Sequence, residues 1–315
     1  MKKQIPLFFT IDHGYVPYLA TAITSIIENS SKEYDYKIHI LHEKLTKEDI
    51  SKISSLQRDG FEITFKQIKE GMELITEDNK YRCDYFTLTI FFRIFIADLF
   101  PEYNKGLYID SDVVVSGDIS ELYNIELGSN IIGACTDNSI QRIPPLTDYL
   151  EQAIGVPKLE YINSGVLLMD LKKMREKEFS KRFLTLLNTY HFETVAPDQD
   201  YINVMCNGKI LYLNEEWNTM PTEGKEKLKN PKLIHYNLFH KPWCYDNVQY
   251  EEHFWNYAKK SGYYEQLVET KNNYSEEQKK IDSDCFKLLI TNATNITQKE
   301  VNFKNIFDSG VDVRL

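Results

Sequence analysis

The order of apolar runs and helix-like segments near the amino terminus constrains the fold more than any other feature of the sequence. Residues 5–11 form an apolar run typical of a buried strand, and residues 15–28 carry apolar side chains at helical spacing. Residues 36–41 and 61–65 alternate apolar and polar side chains as strands do. Residues 46–49 (Thr-Lys-Glu-Asp) have the capping pattern of a helix start. This order predicts an α/β fold with a mostly parallel sheet, right-handed crossovers and ligands at the carboxyl ends of the strands.

Length and composition are those of an ordinary globular protein. With 315 residues, of which 42% are hydrophobic, the chain is long enough for one large or two modest domains. A formal net charge of −10 disfavours a nucleic-acid partner and weakens a peripheral role at an anionic membrane. The most apolar long segment, residues 85–100, is too short to span a bilayer, so we expect membrane contact to be peripheral at most. The five cysteines are widely spaced, without a Cys-x-x-Cys pair, and the amino terminus lacks a signal-peptide pattern, so we expect a cytoplasmic protein with reduced thiols.

Asp110 and Asp112 follow an apolar run at residues 107–109 and are separated only by Ser111. In an extended segment the side chains of residues i and i+2 point the same way, so both carboxylates would face one ligand at the end of a strand. Two like charges this close need a cation, and Mg²⁺ or Mn²⁺ is the usual candidate. A turn that bonds its own backbone is the alternative, but the apolar residues on both sides favour the metal site.

The loop after the first predicted strand and the apolar segment around Arg93 are candidate ligand contacts. The loop has one glycine rather than Gly-x-Gly-x-x-Gly, which disfavours a nicotinamide or flavin dinucleotide. Its Asp12 and Tyr15 could hydrogen-bond a base edge and stack on its face, although Asp12 alone is more typical of a helix cap. Residues 85–100 are apolar nearly all round, which predicts a buried helix. The buried Arg93 must then meet an anion, either an internal carboxylate or a bound carboxylate or phosphate.

Polar residues recur around the later apolar runs. Residues 131–137 are predicted to form a strand, and residues 161–170 contain a glycine that indicates close backbone approach. Residues 171–190, rich in Lys, Arg and Glu, are predicted to form a solvent-exposed covering helix. Pro197 opens another helix, in which capping explains the two acidic residues but not Gln199 between them.

The last candidates are a histidine and a lysine. His235 ends a short apolar run, and Lys241 follows six residues later. An imidazole and an ammonium group that approach the two carboxylates would suit a metal bound to a diphosphate. A lone histidine at such a position is more often structural.

Several of these segments form a longer ordered set. They are residues 9–15 (Phe-Thr-Ile-Asp-His-Gly-Tyr), 92–95 (Phe-Arg-Ile-Phe), 107–112 (Leu-Tyr-Ile-Asp-Ser-Asp), 163–170 (Asn-Ser-Gly-Val-Leu-Leu-Met-Asp), 198–200 (Asp-Gln-Asp) and 235–243. In this order they resemble glycosyltransferase family 8, the retaining enzymes of GT-A fold that include bacterial lipopolysaccharide galactosyl- and glucosyltransferases and glycogenin. Six ordered motifs are far more specific than one Asp-x-Asp. One position departs, because the family often has His-x-x-Gly-x-x-Lys-Pro-Trp and Leu238 stands at the glycine position.

The resemblance implies a role for each matched position. The ligands of Mn²⁺, with Mg²⁺ as the other candidate, match Asp110, Asp112 and His235. The uridine-binding loop matches Thr10, Asp12 and Tyr15. Ser111 matches the contact to the ribose, and Lys241 matches the lysine that contacts the diphosphate. The surroundings of the transferred sugar match Asn163 and four candidate catalytic residues, Arg93, Asp137, Asp198 and Gln199.

The implied function is a metal-dependent, retaining transfer of galactose or glucose, with galactose slightly favoured, from a UDP-hexose to a hydroxyl group of a glycan, glycolipid or glycoprotein acceptor. A same-face reaction assisted by the leaving phosphate is the favoured route. One alternative is a haloacid-dehalogenase-like phosphatase with Asp110 as nucleophile, although that aspartate normally follows the first strand. The other is an inactive UDP-binding subunit of a glycosyltransferase complex.

The resemblance also divides the chain. Residues 1–245 are expected to form the GT-A nucleotide-sugar-binding catalytic domain, with a Rossmann-like, mostly parallel central sheet and helices on both of its faces. Residues 246–315 are expected to form a mainly helical accessory region, with a helix break at Gly262.

Overall fold

The computed structural model describes residues 2–68 and 88–315, and within these ranges it contains nine strands and twelve α-helices. The strands are β1 Lys3–Ile11, β2 Tyr34–His42, β3 Phe61–Gln67, β4 Gly106–Ile109, β5 Val113–Val115, β6 Ile132–Ala134, β7 Val166–Met169, β8 Ile210–Tyr212 and β9 Leu233–His235. The α-helices are α1 Val16–Asn29, α2 Lys47–Ser54, α3 Ile96–Leu99, α4 Ile119–Asn124, α5 Pro144–Tyr149, α6 Leu171–Glu176, α7 Phe179–Tyr190, α8 Pro197–Met205, α9 Glu251–Ala258, α10 Tyr264–Asn272, α11 Glu276–Thr297 and α12 Phe303–Asp308.

Seven strands form one sheet in the order β3-β2-β1-β4-β7-β6-β8. β1 is parallel to β2 and β4, β2 is parallel to β3, and β6 is parallel to β8. β7 is antiparallel to both of its neighbours, β4 and β6. The sheet is therefore mostly parallel, as predicted. Because β7 is reversed, its amino end lies at the same edge of the sheet as the carboxyl ends of β1 and β4, so three loops meet there.

β5 and β9 form a separate two-stranded antiparallel sheet. In its register Val113 lies opposite His235, and the Tyr236 N–H donates to the Asp112 carbonyl oxygen at 3.0 Å. This pairing joins segments that are far apart in the chain. It brings the end of β9 beside the turn that follows β4.

The residues of β1 alternate between two hydrophobic clusters, one on each face of the sheet. Leu7 and Phe9 belong to one cluster, which also contains Leu19 of α1, and Phe8 belongs to the other, which also contains Phe183 of α7. This alternation follows from the period of two in a strand that is buried on both faces. Helices therefore cover both faces of the sheet, as predicted.

Two helix predictions need correction. Within residues 85–100, the first three lie outside the described residues, Leu88–Phe95 is a 3₁₀-helix, and only Ile96–Leu99 is α-helical. An apolar pattern indicates burial but does not separate i→i+3 from i→i+4 hydrogen bonding over so short a segment. The predicted helix 171–190 is broken into α6 and α7 at Glu178, whose φ of 50° is left-handed.

The carboxyl-terminal region is helical from α9 to α12, and Gly262 (φ 80°) separates α9 from α10 as predicted. Its helices enter both clusters, with Leu267 in the first and Ile296 and Phe303 in the second. In the part of the chain that the structure describes, no helix is both long enough and apolar enough to cross a membrane.

Candidate active site

Two aspartates and one histidine converge at the edge where the three loops meet. Asp110 and Asp112 lie in the bend between β4 and β5, and His235 ends β9. The His235 Nε2 atom is 3.3 Å from Asp112 Oδ1 and 3.7 Å from Asp110 Oδ2. One ligand atom from each side chain lies within 4.8 Å of the other two. This set fits a divalent cation, and its mixture of carboxylate oxygen and imidazole nitrogen is compatible with Mn²⁺.

Gly165 makes this convergence sterically possible. Its carbonyl oxygen accepts the Asp110 N–H at 2.7 Å, at the start of β7. A Cβ atom at this position would lie 2.5 Å from Asp110 Oδ2 and closer still to a ring carbon of His235. The close backbone approach predicted for this glycine is therefore an approach to the candidate metal ligands.

Lys241 supplies a positive charge at the same point. Its Nζ atom donates to Asp112 Oδ2 and to the Tyr236 carbonyl oxygen, both at 2.6 Å. Burial alone would raise the pKa of Asp112, but the positive charge of Lys241 and its hydrogen bond to the carboxylate hold that pKa well below its usual range. Asp112 is therefore an ionised carboxylate, as a metal ligand must be.

The anions that meet the buried Arg93 are internal carboxylates. Its Nη2 atom is 3.0 Å from Asp110 Oδ1, and its Nε atom is 3.0 Å from Asp198 Oδ2. Its Nη1 atom donates to the Ser164 carbonyl oxygen at 2.8 Å. Burial raises the pKa of Asp198 above its usual value even though the Arg93 charge opposes this shift. Arg93 thus ties a candidate metal ligand to the first turn of α8.

Asp137 is the acceptor that two side-chain amides share. Asn163 Nδ2 and Gln199 Nε2 each donate to Asp137 Oδ2 at 3.1 Å, and the Ser139 N–H donates to Oδ1 at 3.1 Å. The Gln199 Oε1 atom accepts the Ser164 N–H at 2.9 Å. Both atoms of the Gln199 amide are thereby engaged within the protein.

The loop after β1 presents the residues predicted to contact the nucleotide. Asp12 precedes a short 3₁₀-helix, His13–Tyr15, and makes no side-chain capping bond, so the capping alternative is wrong. Tyr15 is 37% exposed and contacts Tyr18 edge-on, with ring centroids 5.4 Å apart. Tyr18 in turn stacks on Trp243 at 4.1 Å. The Asp12 carboxylate and the exposed Tyr15 ring therefore lie on the same loop.

Leu238 adopts the backbone conformation that a glycine would favour. Its φ is 56°, and its side chain is 40% exposed. Left-handed φ costs an ordinary residue about 1–2 kcal/mol. The loop between His235 and Lys241 thus keeps a left-handed residue at this position even though the glycine is replaced.

All predicted site residues line one cavity of about 560 Å³. They are Thr10, Asp12, Tyr15, Arg93, Asp110, Ser111, Asp112, Asp137, Asn163, Asp198, Gln199, His235 and Lys241. The far wall of the cavity includes Asp282, Phe286 and Leu289 from α11. The cavity is therefore formed by both the amino-terminal and the carboxyl-terminal parts of the chain.

Three residues to which the sequence analysis assigned no role connect the side chains of the site. Tyr108 donates its hydroxyl to Asp110 Oδ1 at 2.5 Å and contacts Thr10 Oγ1 at 2.9 Å. Ser164 bonds Arg93 and Gln199. Asn218 Oδ1 lies 3.0 Å from His235 Nδ1. Tyr108 and Ser164 lie within the matched segments 107–112 and 163–170, and Asn218 lies in an irregular loop, but no local pattern indicated the bonds that they make.

Comparisons with known proteins agree with this geometry. The chain matches Glycosyl transferase family 8 over residues 6–247. A protein of Escherichia coli K12 named lipopolysaccharide 1,2-glucosyltransferase is 28% identical over 265 residues, covering 77% of this chain and 75% of the relative.

Two solved structures share the fold. The bifunctional glycosyltransferase WbbM, in its apo form, has a TM-score of 0.73 at 22% identity, and the match covers 87% of this chain and 52% of WbbM. The galactosyltransferase LgtC, solved with donor and acceptor sugar analogues, has a TM-score of 0.68 at 23% identity, and the match covers 81% of this chain and 96% of LgtC. The fold is the predicted GT-A fold. With a family match over most of its length, the chain belongs to glycosyl transferase family 8, whose members transfer a sugar from a nucleotide-sugar donor to a glycan acceptor.

Proposed function

We propose that this protein is a Mn²⁺-dependent, retaining hexosyltransferase that uses UDP-galactose or UDP-glucose. The acceptor is a hydroxyl group of a glycan, glycolipid or glycoprotein. The observation that carries the proposal is the convergence of Asp110, Asp112 and His235 in one cavity with Lys241 and the loop of residues 10–15. Such a combination suits a nucleoside diphosphate held by a metal and a lysine.

The charges around the aspartates support a diphosphate at this end of the cavity. Asp110, Asp112 and His235 would hold the cation, and Mg²⁺ is the other candidate. When bound, a divalent cation withdraws charge from the diphosphate leaving group. Lys241 already donates to Asp112 beside these ligands, so its ammonium group stands where a phosphate oxygen would approach. A fixed positive charge at that point stabilises the developing charge without rearrangement.

The loop after β1 supports a nucleoside at the other end of the proposed donor. Asp12 would accept a hydrogen bond from the uracil edge, and Tyr15 would pack on the ring. Thr10 and Ser111 complete this wall of the cavity, and we propose Ser111 as the contact to the ribose. These contacts would place the diphosphate over the aspartates.

The state of three candidate nucleophiles supports the same-face route to retention. Asp137 accepts four hydrogen bonds, from Asn163, from Gln199 and from the N–H and hydroxyl of Ser139. Asp198 is paired with Arg93, and the Gln199 oxygen is occupied by the Ser164 N–H. A double displacement would have to break these bonds first. We therefore propose that Arg93, Asp137, Asn163, Asp198 and Gln199 position the hexose while the leaving phosphate assists the incoming hydroxyl.

The choice of donor and the division of the chain belong to the same proposal. We propose galactose ahead of glucose as the transferred sugar. The similar proteins include one named as a glucosyltransferase and one named as a galactosyltransferase. Residues 1–245 would bind the donor. Residues 246–315 would act as an accessory region that shapes the acceptor side, because Phe286 and Leu289 of α11 line the cavity.

A panel of UDP-sugars with Mn²⁺, scored for UDP release without acceptor, tests the proposal. We expect release from UDP-galactose or UDP-glucose and none after chelation of the metal. Release of free phosphate instead would favour the phosphatase that uses Asp110. Binding of UDP and Mn²⁺ without turnover of any donor would favour an inactive subunit.

Asp112→Asn is the matching variant. Loss of this charged ligand should lower the turnover by at least about 100-fold, because the cation and Lys241 lose their shared carboxylate. Circular dichroism should show an intact fold. The control is Asp284→Asn, the same chemical change at an exposed position of α11, which should retain wild-type turnover. Wild-type turnover in Asp112→Asn would refute the metal role.

A further inference from the structure

A chain of three hydrogen bonds links a backbone amide to the His235 imidazole. The Gly165 N–H donates to Asn163 Oδ1 at 3.0 Å. Asn218 Nδ2 lies 3.0 Å from the same oxygen, and Asn218 Oδ1 lies 3.0 Å from His235 Nδ1. The Asn163, Asn218 and His235 side chains are buried, with Asn218 fully so.

The direction of every bond in this chain follows from its first member. A backbone N–H can only donate, so Asn163 must present its oxygen to Gly165. Asn218 must then donate its amide to that oxygen, which turns its own oxygen toward His235. His235 must therefore carry its proton on Nδ1 in order to donate to Asn218. In the neutral imidazole, the Nε2 atom is then left with a lone pair that faces Asp110 and Asp112.

The neighbouring carboxylates favour the opposite arrangement. Asp112 Oδ1 is 3.3 Å from His235 Nε2, so a proton on Nε2 would gain a hydrogen bond to a carboxylate. A protonated Nε2 cannot bind a metal, because its lone pair is used. Without a fixed acceptor at Nδ1, the two aspartates would thus draw the imidazole into the tautomer that does not bind a metal.

We propose that Asn218 is a positioning residue that selects the metal-binding tautomer of His235, and that the Gly165 amide sets its orientation through Asn163. The inference rests on the proposed function, since it assigns Nε2 to the cation. A partner on the second nitrogen of a ligating histidine fixes both the tautomer and the plane of the ring. Asn218 is completely buried, so bulk solvent does not compete with it for His235 Nδ1.

Mn²⁺ affinity, measured from the loss of the free-ion electron paramagnetic resonance signal with and without UDP, tests this role. Asn218→Ala should bind Mn²⁺ about 10–100-fold more weakly than the wild type. Asn218→Asp keeps an acceptor for the His235 Nδ1–H but loses the donor to Asn163. It should retain Mn²⁺ affinity to within about threefold, a rescue that loss of packing alone would not produce.

The matched control is Asn203→Ala. Asn203 is also completely buried and makes three hydrogen bonds, all to the backbone of Ile162 and Gln199. Its loss should lower the melting temperature about as much as Asn218→Ala does, with Mn²⁺ affinity unchanged. This comparison separates a general loss of stability from a loss at the metal ligand.

Each outcome bears on the proposal. Wild-type Mn²⁺ affinity in Asn218→Ala, or equal losses of Mn²⁺ affinity in Asn218→Ala and Asn203→Ala, would overturn the role of Asn218. Neither result would contradict the proposed metal centre. If Asn218→Ala does not fold, a tenfold or larger loss in folded Asn218→Asp would overturn the role of Asn218 as well. A wild-type protein that binds no Mn²⁺ would overturn the metal centre of the proposed function and this role with it.

Discussion

Gly165 is the residue at which the backbone comes closest to the candidate metal ligands. In Gly165→Ala the new Cβ would meet Asp110 Oδ2 and the His235 ring, so one of these side chains must move. We expect Mn²⁺ affinity to fall by at least about tenfold, because displaced ligands no longer share one centre. Isothermal titration with MnCl₂ in the presence of UDP measures the change.

Gly128→Ala is the control for a glycine substitution that lowers stability without bringing a Cβ atom against another residue. Gly128 has a φ of 58°, and a Cβ there would meet no heavy atom within 4 Å. The variant should therefore lose stability through backbone strain and keep its Mn²⁺ affinity. An affinity for Mn²⁺ in Gly165→Ala equal to that of the wild type would mean that the ligands move freely, contrary to the steric argument.

Motifs predicted which residues face the cavity, but not the bonds between them. Asp12, Arg93 and Lys241 all line the cavity as the family resemblance implied. The anions that meet Arg93, however, remained open until the structure brought Asp110 and Asp198 to it. Such pairs come from side chains that approach only in the tertiary structure. No local spacing encodes them, and Asn218 was missed for the same reason.

At the scale of elements, α8 is held in place by a buried carboxylate. Tyr149 and Tyr161 donate their hydroxyls to Asp200 at 2.7 and 2.6 Å, and the Ala196 N–H donates at 3.1 Å. Asp200 is completely buried, and burial raises its pKa to about 6. These bonds fix the first turn of α8, which carries Asp198 and Gln199.

The raised pKa of Asp200 predicts a pH-dependent contribution to stability. A carboxyl group with a higher pKa in the folded chain than in the unfolded chain contributes fully below its unfolded value of 3.8, and this contribution is lost as the pH rises through about 6. From pH 4 to pH 7, the free energy of unfolding of the wild type should fall by about 2–3 kcal/mol relative to that of Asp200→Asn. Urea unfolding at intervals of pH measures this difference.

The control for this prediction removes an exposed carboxylate from the neighbouring helix. Asp148→Asn, on α5, should follow the pH dependence of the wild type. Asp200→Asn is expected to be less stable at every pH, because an amide can accept fewer hydrogen bonds than a carboxylate. Parallel pH profiles for the wild type and Asp200→Asn would show that Asp200 does not titrate in this range.

Local patterns predicted strands and helices well where burial alternates regularly. The β-α-β-α-β order and the capping box of α2, with Thr46 and Asp49, appear as expected. The patterns failed for Leu88–Phe95, an apolar segment that forms a 3₁₀-helix rather than an α-helix. They also failed at Glu178, where a residue with left-handed backbone conformation divides the predicted helix. The pairing of β5 with β9 was also beyond local reasoning. It joins distant segments, and only the resemblance placed His235 beside the aspartates.

At the scale of the whole molecule, the carboxyl-terminal region and the catalytic sheet share their hydrophobic clusters. Leu267 of α10 packs in the cluster that contains Leu7 of β1 and helix α1. Phe303 of α12 packs in the cluster on the opposite face of the sheet. Two regions that share a core are expected to unfold together. We therefore predict one unfolding transition for the proposed regions 1–245 and 246–315, for which different functions are proposed.

Leu267→Ala tests this coupling. Leu267 is completely buried, so its truncation should lower the free energy of unfolding of the whole chain by about 2–5 kcal/mol. Leu288→Ala, on α11 with 49% of the side chain exposed, is the matched control and should change it by less than about 0.5 kcal/mol. Urea unfolding followed by circular dichroism, with UDP binding measured across the same range, reports both regions. If UDP binding persisted in Leu267→Ala after a first transition, the carboxyl-terminal helices would form an independent domain, and the shared clusters would contribute little to the stability of the catalytic sheet.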